Sequence, residues 1–353
     1  MRPLPLRETL LDWYARHGRR LPWRETRDPY HIWVSEIILQ QTRIAQGTDY
    51  YLRFVERFPD IASLAAASED QVLKQWQGLG YYSRARNLHR AAQLIAEQFD
   101  GQFPRSYHQV RSLPGIGDYT VAAICSIAYR MPYAVLDGNV YRVLSRYFDL
   151  DTPIDTTAGK KLFTRLANEQ LDQDRPGDYN QAIMDFGALQ CTPSLPECPR
   201  CPLRPHCRAQ AAGTVALRPA KSKRSEPSPR YLHYFHIVSP EGTWVRRRTE
   251  DDIWRGLYEF PRIETPDDLP AEQMLSDVRY KALIRSAATA KVLETLPPVK
   301  HLLSHRVLHI RFYRVSIPTP GFSLEGYAPA TKEDLAHFAF PRPLAAYLER
   351  SAR

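Results

Sequence analysis

The sequence predicts a multidomain chain, with an all-α core over residues 1–212, a linker at 213–230 and an α+β domain over 231–353. Three observations predict this. Apolar residues recur at three- and four-residue steps as far as about residue 210. The composition then turns small, basic and proline-rich, and the remaining third alternates apolar and polar residues as strands do. A length of 353 residues suits two or three domains, and a hydrophobic fraction of 43% can fill their cores.

In the core, the helical steps are Trp33, Ile37 and Gln40 to Ile44; then Leu88, Ala92 and Ile95; then Val121, Ile124 and Ile127. Pro29, Pro59-Asp60, Pro104 to Ser106, and Pro114 to Gly117 punctuate them. In the linker, Lys221, Lys223 and Arg224 read as solvated charge. Beyond it, Tyr231–Val238 and Thr243–Arg247 read as strands around a turn at Pro240-Glu241-Gly242, and His309–Ile317 as a later strand. Pro270–Val278 and Lys332–Ala336 read as helices. Arg246-Arg247-Arg248 reads as a solvated strand edge that resists aggregation. No internal repeat is visible.

The formal charge of +9 favours a polyanionic partner, nucleic acid first and an anionic membrane second, although simple solubility also accounts for it. The opening segment is broken by Arg7, Glu8 and Asp12, so no signal peptide is expected, and no apolar run reaches the roughly 18 residues of a membrane span. Four of the five cysteines are clustered, which argues against a disulfide scaffold and fits a reducing, intracellular (cytoplasmic) setting. Cys125, in an apolar stretch, reads as a buried small hydrophobe.

The clustered cysteines, Cys191, Cys198, Cys201 and Cys207, are spaced C-x6-C-x2-C-x5-C. Four thiolates in so short a segment can close a sulfur cage around a metal centre. Zinc ribbons usually supply two C-x2-C pairs and only one is present, so ligand softness and spacing favour a [4Fe-4S] cluster over zinc. Arg200, Arg204, His206 and Arg208 lie between and beside the cysteines, as suits phosphate contact by a rigid loop.

Two further features carry chemistry. Leu113-Pro114-Gly115-Ile116-Gly117 precedes a helix start at Asp118-Tyr119-Thr120. Glycines there let backbone approach a phosphate, and the helix offers free N–H groups, though a tight helix–helix connection needs no ligand. The second feature is a pair of carboxylates. Glu36 sits in the apolar, amide-rich helix Ser35–Thr42, where its pKa should rise and make it available as a general acid. Asp137, in Leu136-Asp137-Gly138-Asn139, fits either a helix cap or a second catalytic carboxylate.

Together SEIILQQT, LPGIGDYT, LDGNVYRV and the cysteine loop closely resemble the MutY family of adenine DNA glycosylases, in the helix-hairpin-helix glycosylase superfamily. The resemblance spans the chain and includes a Nudix-like C-terminal domain marked by Trp254-Arg255-Gly256-Leu257-Tyr258-Glu259-Phe260-Pro261. It implies a six-helix part over about 22–130 with the hairpin at 113–117, and a cluster part from about 1–21 plus 131–212 holding a [4Fe-4S] cluster on the four cysteines. It further implies a monomer acting on double-stranded DNA that carries adenine mispaired with 8-oxoguanine. Glu36 would protonate adenine at N7, and Asp137 would stabilise the oxocarbenium-like sugar, with a transient covalent adduct as a variant of that role. Tyr119 and Asn139 would support them, and Arg24 would hold the flipped adenine. Gln41, Thr42, Leu79 and Tyr81 would invade the duplex, with Gly115 and Gly117 on its backbone. Ser304 and His305 would read 8-oxoguanine from a loop in which Leu303 stands where the family often has an aromatic. Related endonuclease III enzymes carry a catalytic lysine at the position of Tyr119, so Schiff-base strand cleavage is not expected. The C-terminal domain contains no R-E-x-x-E-E run, so it should read a lesion rather than hydrolyse nucleotides.

Overall fold

A computed structural model describes residues 6–222, 226–285, 287, 289–303 and 305–351. Short polar caps set where many of its helices begin. After α1 (Leu6–His17), Asp28 accepts a hydrogen bond from Tyr30 N at 2.9 Å and, with Pro29 in the first helical position, starts α2 (Pro29–Leu39). Then come α3 (Ile44–Arg57), α4 (Ile61–Ala66) and α5 (Glu69–Gln75), the last opened by a Ser68–Gln71 capping box. Next are α6 (Ser83–Gln98), α7 (Tyr107–Ser112), α8 (Asp118–Tyr129), α9 (Gly138–Phe148), α10 (Thr157–Gln170), α11 (Pro176–Leu189) and α12 (Arg208–Ala212).

One expectation is corrected here. The helix read through Gln40 to Ile44 stops at Leu39, Gln41 takes a left-handed backbone (φ 58°), and α3 starts anew at Ile44. The reason is packing. A Cβ on Gly47 of α3 would stand 2.7 Å from a Leu39 methyl, so the glycine lets α3 cross tightly over the end of α2, and the chain must turn between them.

The chain forms two compact units, Met1–Ala66 with Asn87–Arg224, and Ala67–Arg86 with Ser225–Arg353. In the first, α1 packs with distant α9, α10 and α11 around Leu10, Trp13, Leu144, Phe163 and Phe186, while α2 packs on α8. Within 213–230, Thr214 and Arg218 hydrogen-bond Asp149 at 2.6 and 2.9 Å, and Ser222 N donates to Asp155 at 2.9 Å. Lys221 is exposed, and Lys223 and Arg224 lie outside the described residues.

The second unit holds a sheet. Its strands are β1 (Ser228–Ser239), β2 (Gly242–Arg247), β3 (Tyr258–Glu259), β4 (Arg262–Thr265), β5 (Lys291–Thr295), β6 (Val299–Leu302), β7 (Arg306–Ser316) and β8 (Ala328–Ala330). The path is β3-β2-β1-β7-β5, with β4 on β1, β6 on β7 and β8 on β2; β1 and β7 run parallel, Tyr231 opposite His309. Alternation along β1 sends Leu232 and Tyr234 to one face and Phe235 and Ile237 to the other. The helices α13 (Ala271–Ser276) and α14 (Val278–Leu283) cover the second face. After α15 (Lys332–His337), α16 (Arg342–Ser351) covers the first. The helix expected at Pro270–Val278 is thus two, because Asp277 ends one and caps the next through Arg279 N at 2.8 Å.

Arg246-Arg247-Arg248 does not form the solvated edge expected of it. Arg248 is 1% exposed and meets Glu259 at 2.6 Å; Arg246 meets the same carboxylate at 2.8 Å; Arg247 meets Glu69 at 2.6 Å. The strand β2 is flanked by β1, β3 and β8, so Arg246 and the following Arg248 turn to a buried carboxylate, while Arg247 stays exposed in a surface pair.

Candidate active site

In the first unit, α2, α8, α9, α11 and the 3₁₀ turn Pro22–Arg24 surround a cavity of about 250 Å³. Glu36, on α2, is 8% exposed among buried Ile32, Trp33 and Ile37. Burial pushes its carboxyl up to about 7. The Tyr119 hydroxyl within hydrogen-bonding reach and the Arg24 charge draw it down, while Asp137 adds to the rise. A glutamic acid so placed is protonated in a large fraction of molecules at neutral pH and can give that proton up. Tyr119, second residue of α8, has its hydroxyl 3.4 Å from Met184 Sδ, and burial and then Glu36 keep that hydroxyl protonated far above its usual range.

Asp137 is both a cap and a wall of the cavity. Its Oδ1 accepts from Asn139 N at 2.9 Å and Val140 N at 2.8 Å, starting α9, and its Oδ2 accepts from Asn139 Nδ2 at 2.7 Å. Burial raises its pKa above the ordinary aspartate value, against the pull of these three donors. Asn139 is fixed in turn by Arg142 Nη2 on its Oδ1 at 2.8 Å, and Arg142 Nε reaches Cys191 O at 2.7 Å. Gly187 makes the arrangement possible, since a Cβ there would lie 2.6 Å from Asn139 Cβ.

Arg24 enters the cavity on a buried anchor that the sequence reading missed. Asp185 of α11, fully buried, accepts from Arg24 Nη1 at 2.7 Å and Nη2 at 2.9 Å, and also pairs with Arg19. Burial pushes the Asp185 carboxyl up, but the bonds from Arg24 and then Arg19 outweigh it and hold it below the usual range. An acid inside the apolar run Ala182–Leu189 was a signal of the kind that singled out Glu36. Thr42 lines the same cavity; exposed Gln41 does not. The 113–117 hairpin stands apart, with Gly115 at φ 79° and the uncapped start of α8 at Gly117. Arg111 grips the hairpin through Ile116 O at 2.7 Å.

In the second unit, Leu79 and Tyr81 line a cavity of about 250 Å³ with Trp254, Leu302 and Leu303, and Tyr81 and His305 line a smaller one of about 180 Å³. Ser304 lies outside the described residues.

The four loop cysteines are half-buried and carry no disulfide. Burial and the proximity of the other sulfurs raise Cys201 to about 11 and push Cys198 and Cys207 up. Arg146 Nη1 lies 3.4 Å from Cys191 Sγ and binds the Thr192 carbonyl at 2.7 Å. Four soft donors near one another, destabilised as bare thiolates and braced by a cation, fit a thiolate-ligated metal group. Among the described residues no three ligating side chains stand in coordination geometry.

Residues 34–169 match the HhH-GPD superfamily of base excision DNA repair proteins, and residues 233–350 match the NUDIX domain. The chain is 34% identical to the adenine DNA glycosylase of Buchnera aphidicola subsp. Baizongia pistaciae, over 88% of this chain and 86% of that protein. It is 32% identical to the human adenine DNA glycosylase, over 92% of this chain and 68% of that one. Among solved structures it resembles a thermostable thymine-DNA glycosylase at 29% identity and a TM-score of 0.54, covering 58% of this chain and 94% of the other. An endonuclease III–DNA complex, 20% identical with a TM-score of 0.51, shares the fold.

Proposed function

We propose that this chain, which belongs to the adenine DNA glycosylases of the HhH-GPD superfamily, removes adenine opposite 8-oxoguanine or guanine from duplex DNA by hydrolysis, without cutting the strand. The observation that carries the reading is one cavity holding a glutamic acid with a pKa of about 7 and an aspartate gripped by three N–H donors.

The exposed hairpin at Gly115 and Gly117 takes a phosphate on the open amides that begin α8. Adenine turns out of the stack, Tyr81 and Leu79 fill the gap with Gln41 and Thr42, and Arg24 receives the base in the cavity. Glu36 donates its proton to adenine N7. The C1′–N9 bond then breaks, with its electron pair leaving on the base, while the Asp137 carboxylate faces the positive charge on the sugar. Water adds at C1′ and gives its proton to a carboxylate, so adenine and an abasic site result. Asn139 keeps Asp137 aimed, and Tyr119, a phenol with no free amine, supplies a hydrogen bond but no Schiff base. His305 and Ser304 read the base left opposite. Cys191, Cys198, Cys201 and Cys207 hold a [4Fe-4S] cluster, which stiffens the loop presenting Arg200, Arg204, His206 and Arg208.

Single-turnover excision on a duplex with one adenine opposite 8-oxoguanine, halved into samples with and without hot alkali, tests the reading. Strand breaks only after alkali are expected, faster than opposite guanine. Breaks without alkali, or none in either sample, would contradict it.

A further inference from the structure

Two residues before the segment 78–82 and two after it, one pair of side chains closes around a single carbonyl. Gly80 O accepts from Trp76 Nε1 at 3.2 Å and from Arg84 Nη2 at 3.0 Å, and the same Nη2 lies 3.4 Å from Leu79 O. The backbone between them is bent in an unusual way. Gly78, Gly80 and Tyr81 all have positive φ, at 100°, 74° and 48°. Two of these are glycines, for which the conformation is free of strain; Tyr81 has a Cβ and needs neighbours to hold it there.

Arg84 supplies that hold in three ways. Its guanidinium accounts for two carbonyls of the bent segment, and its own N–H donates to Tyr81 O at 2.9 Å as α6 begins. It also lies between two aromatic rings, 5.2 Å from the centre of Trp76 and 5.8 Å from that of Tyr81. Trp76 is fully buried and Arg84 is 9% exposed, whereas Tyr81, the outer ring, is 47% exposed. The stack therefore runs from the core outward through a cation to a ring facing solvent. Burial draws the Arg84 pKa down only to about 10, which leaves the cation charged at neutral pH.

The geometry points to Arg84 as a positioning residue that presets Tyr81 for entry into the duplex, through the Gly80 and Leu79 carbonyls and through the ring itself. The inference rests on the reading of Tyr81 as the wedge. It assigns the preset to a buried residue behind the wedge, and it explains why an arginine lies beneath an otherwise glycine-rich turn. One guanidinium nitrogen meets both carbonyls while the delocalised cation stays within reach of both rings, and lysine's compact, strongly hydrated ammonium offers only part of that.

A coupling measurement on the full-length protein tests it, with single-turnover excision below saturation on a duplex carrying adenine opposite 8-oxoguanine. The variants are Arg84→Met, which keeps an apolar stem over Trp76, Arg84→Lys, Tyr81→Ala, and Arg84→Met with Tyr81→Ala, each normalised to its folded fraction. Arg84→Met and Tyr81→Ala are each expected to slow excision about 10- to 100-fold, and the double variant to match Tyr81→Ala within about twofold, since both act through one element. Arg84→Lys is expected to lie closer to the unsubstituted protein than Arg84→Met. Multiplying effects in the double variant, or Lys no better than Met, would overturn the role of Arg84 while leaving the wedge intact. An unchanged rate for Tyr81→Ala would remove the wedge, and this inference with it.

Discussion

Glu36 and Glu259 are both glutamates all but removed from water, at 8% and 0% exposure, and their surroundings make opposite things of them. Glu259 sits within 2.8 Å of Arg246 and 2.6 Å of Arg248, with Arg262 at 3.8 Å and the Tyr234 hydroxyl at 3.3 Å. Glu36 has the Tyr119 phenol within reach, and the guanidinium that acts on it, that of Arg24, is engaged by Asp185. Burial alone does not make an acid. What makes one is burial with the compensating charge directed elsewhere. Asp252, beside Arg230 and Arg248, is pushed down to about 2 by such partners although burial opposes it.

The sharpest way to break this contrast is to neutralise each glutamate. Glu36→Gln keeps shape and removes the proton to be given, so excision should fall about 10²- to 10⁴-fold while binding to the lesion duplex is largely kept. Single-turnover kinetics beside a filter-binding titration would check both halves, and near-normal excision would sink the assignment. Glu259→Ala should act on stability instead. It leaves Arg248 buried without its closest partner, at a cost of about 3–5 kcal/mol. Denaturant unfolding would show this as a lowered midpoint, and the excision rate per folded molecule should barely move. A large rate loss at unchanged stability would erase the distinction. Smaller still is the expected effect of Asp185→Asn, which frees Arg24 to turn towards Glu36. Excision should slow about 10- to 100-fold, more in rate than in affinity, because positioning rather than contact is lost. An unaltered rate would show that Arg24 needs no anchor.

Much of this was legible in the sequence, for reasons that differ from residue to residue. A lone acid on an apolar helix predicts its own raised pKa, and Glu36 obeys. Asp137 was left between cap and pocket acid, and it occupies both places because the helix start it caps opens onto the cavity. The change in residue period marks where the sheet-bearing stretch begins, but it gives no sign that Ala67–Arg86, helical in pattern, groups with that stretch in the second unit. What escaped was set by distant partners. Arg246-Arg247-Arg248 looks like a charged edge until Glu259 and, from far upstream, Glu69 are folded against it. The turn at Gln40-Gln41 leaves no mark in the apolar spacing, because Gly47 and the helix crossing impose it. Asp185 could have been found, since an acid in an apolar run signals either a proton donor or a buried partner, and only the fold says which.

The central claim is that Glu36 acts as a neutral acid, and the most direct test is the pH dependence of single-turnover excision for the unsubstituted protein and for Glu36→Gln. Because burial raises the carboxyl to about 7, the donating form is the protonated one below that pH and is lost above it. The account predicts a rate that falls about tenfold per pH unit above roughly 7, and a variant that is slow and lacks this fall. A variant that keeps the same alkaline fall, or a protein whose rate holds steady to pH 9 or so, would contradict it.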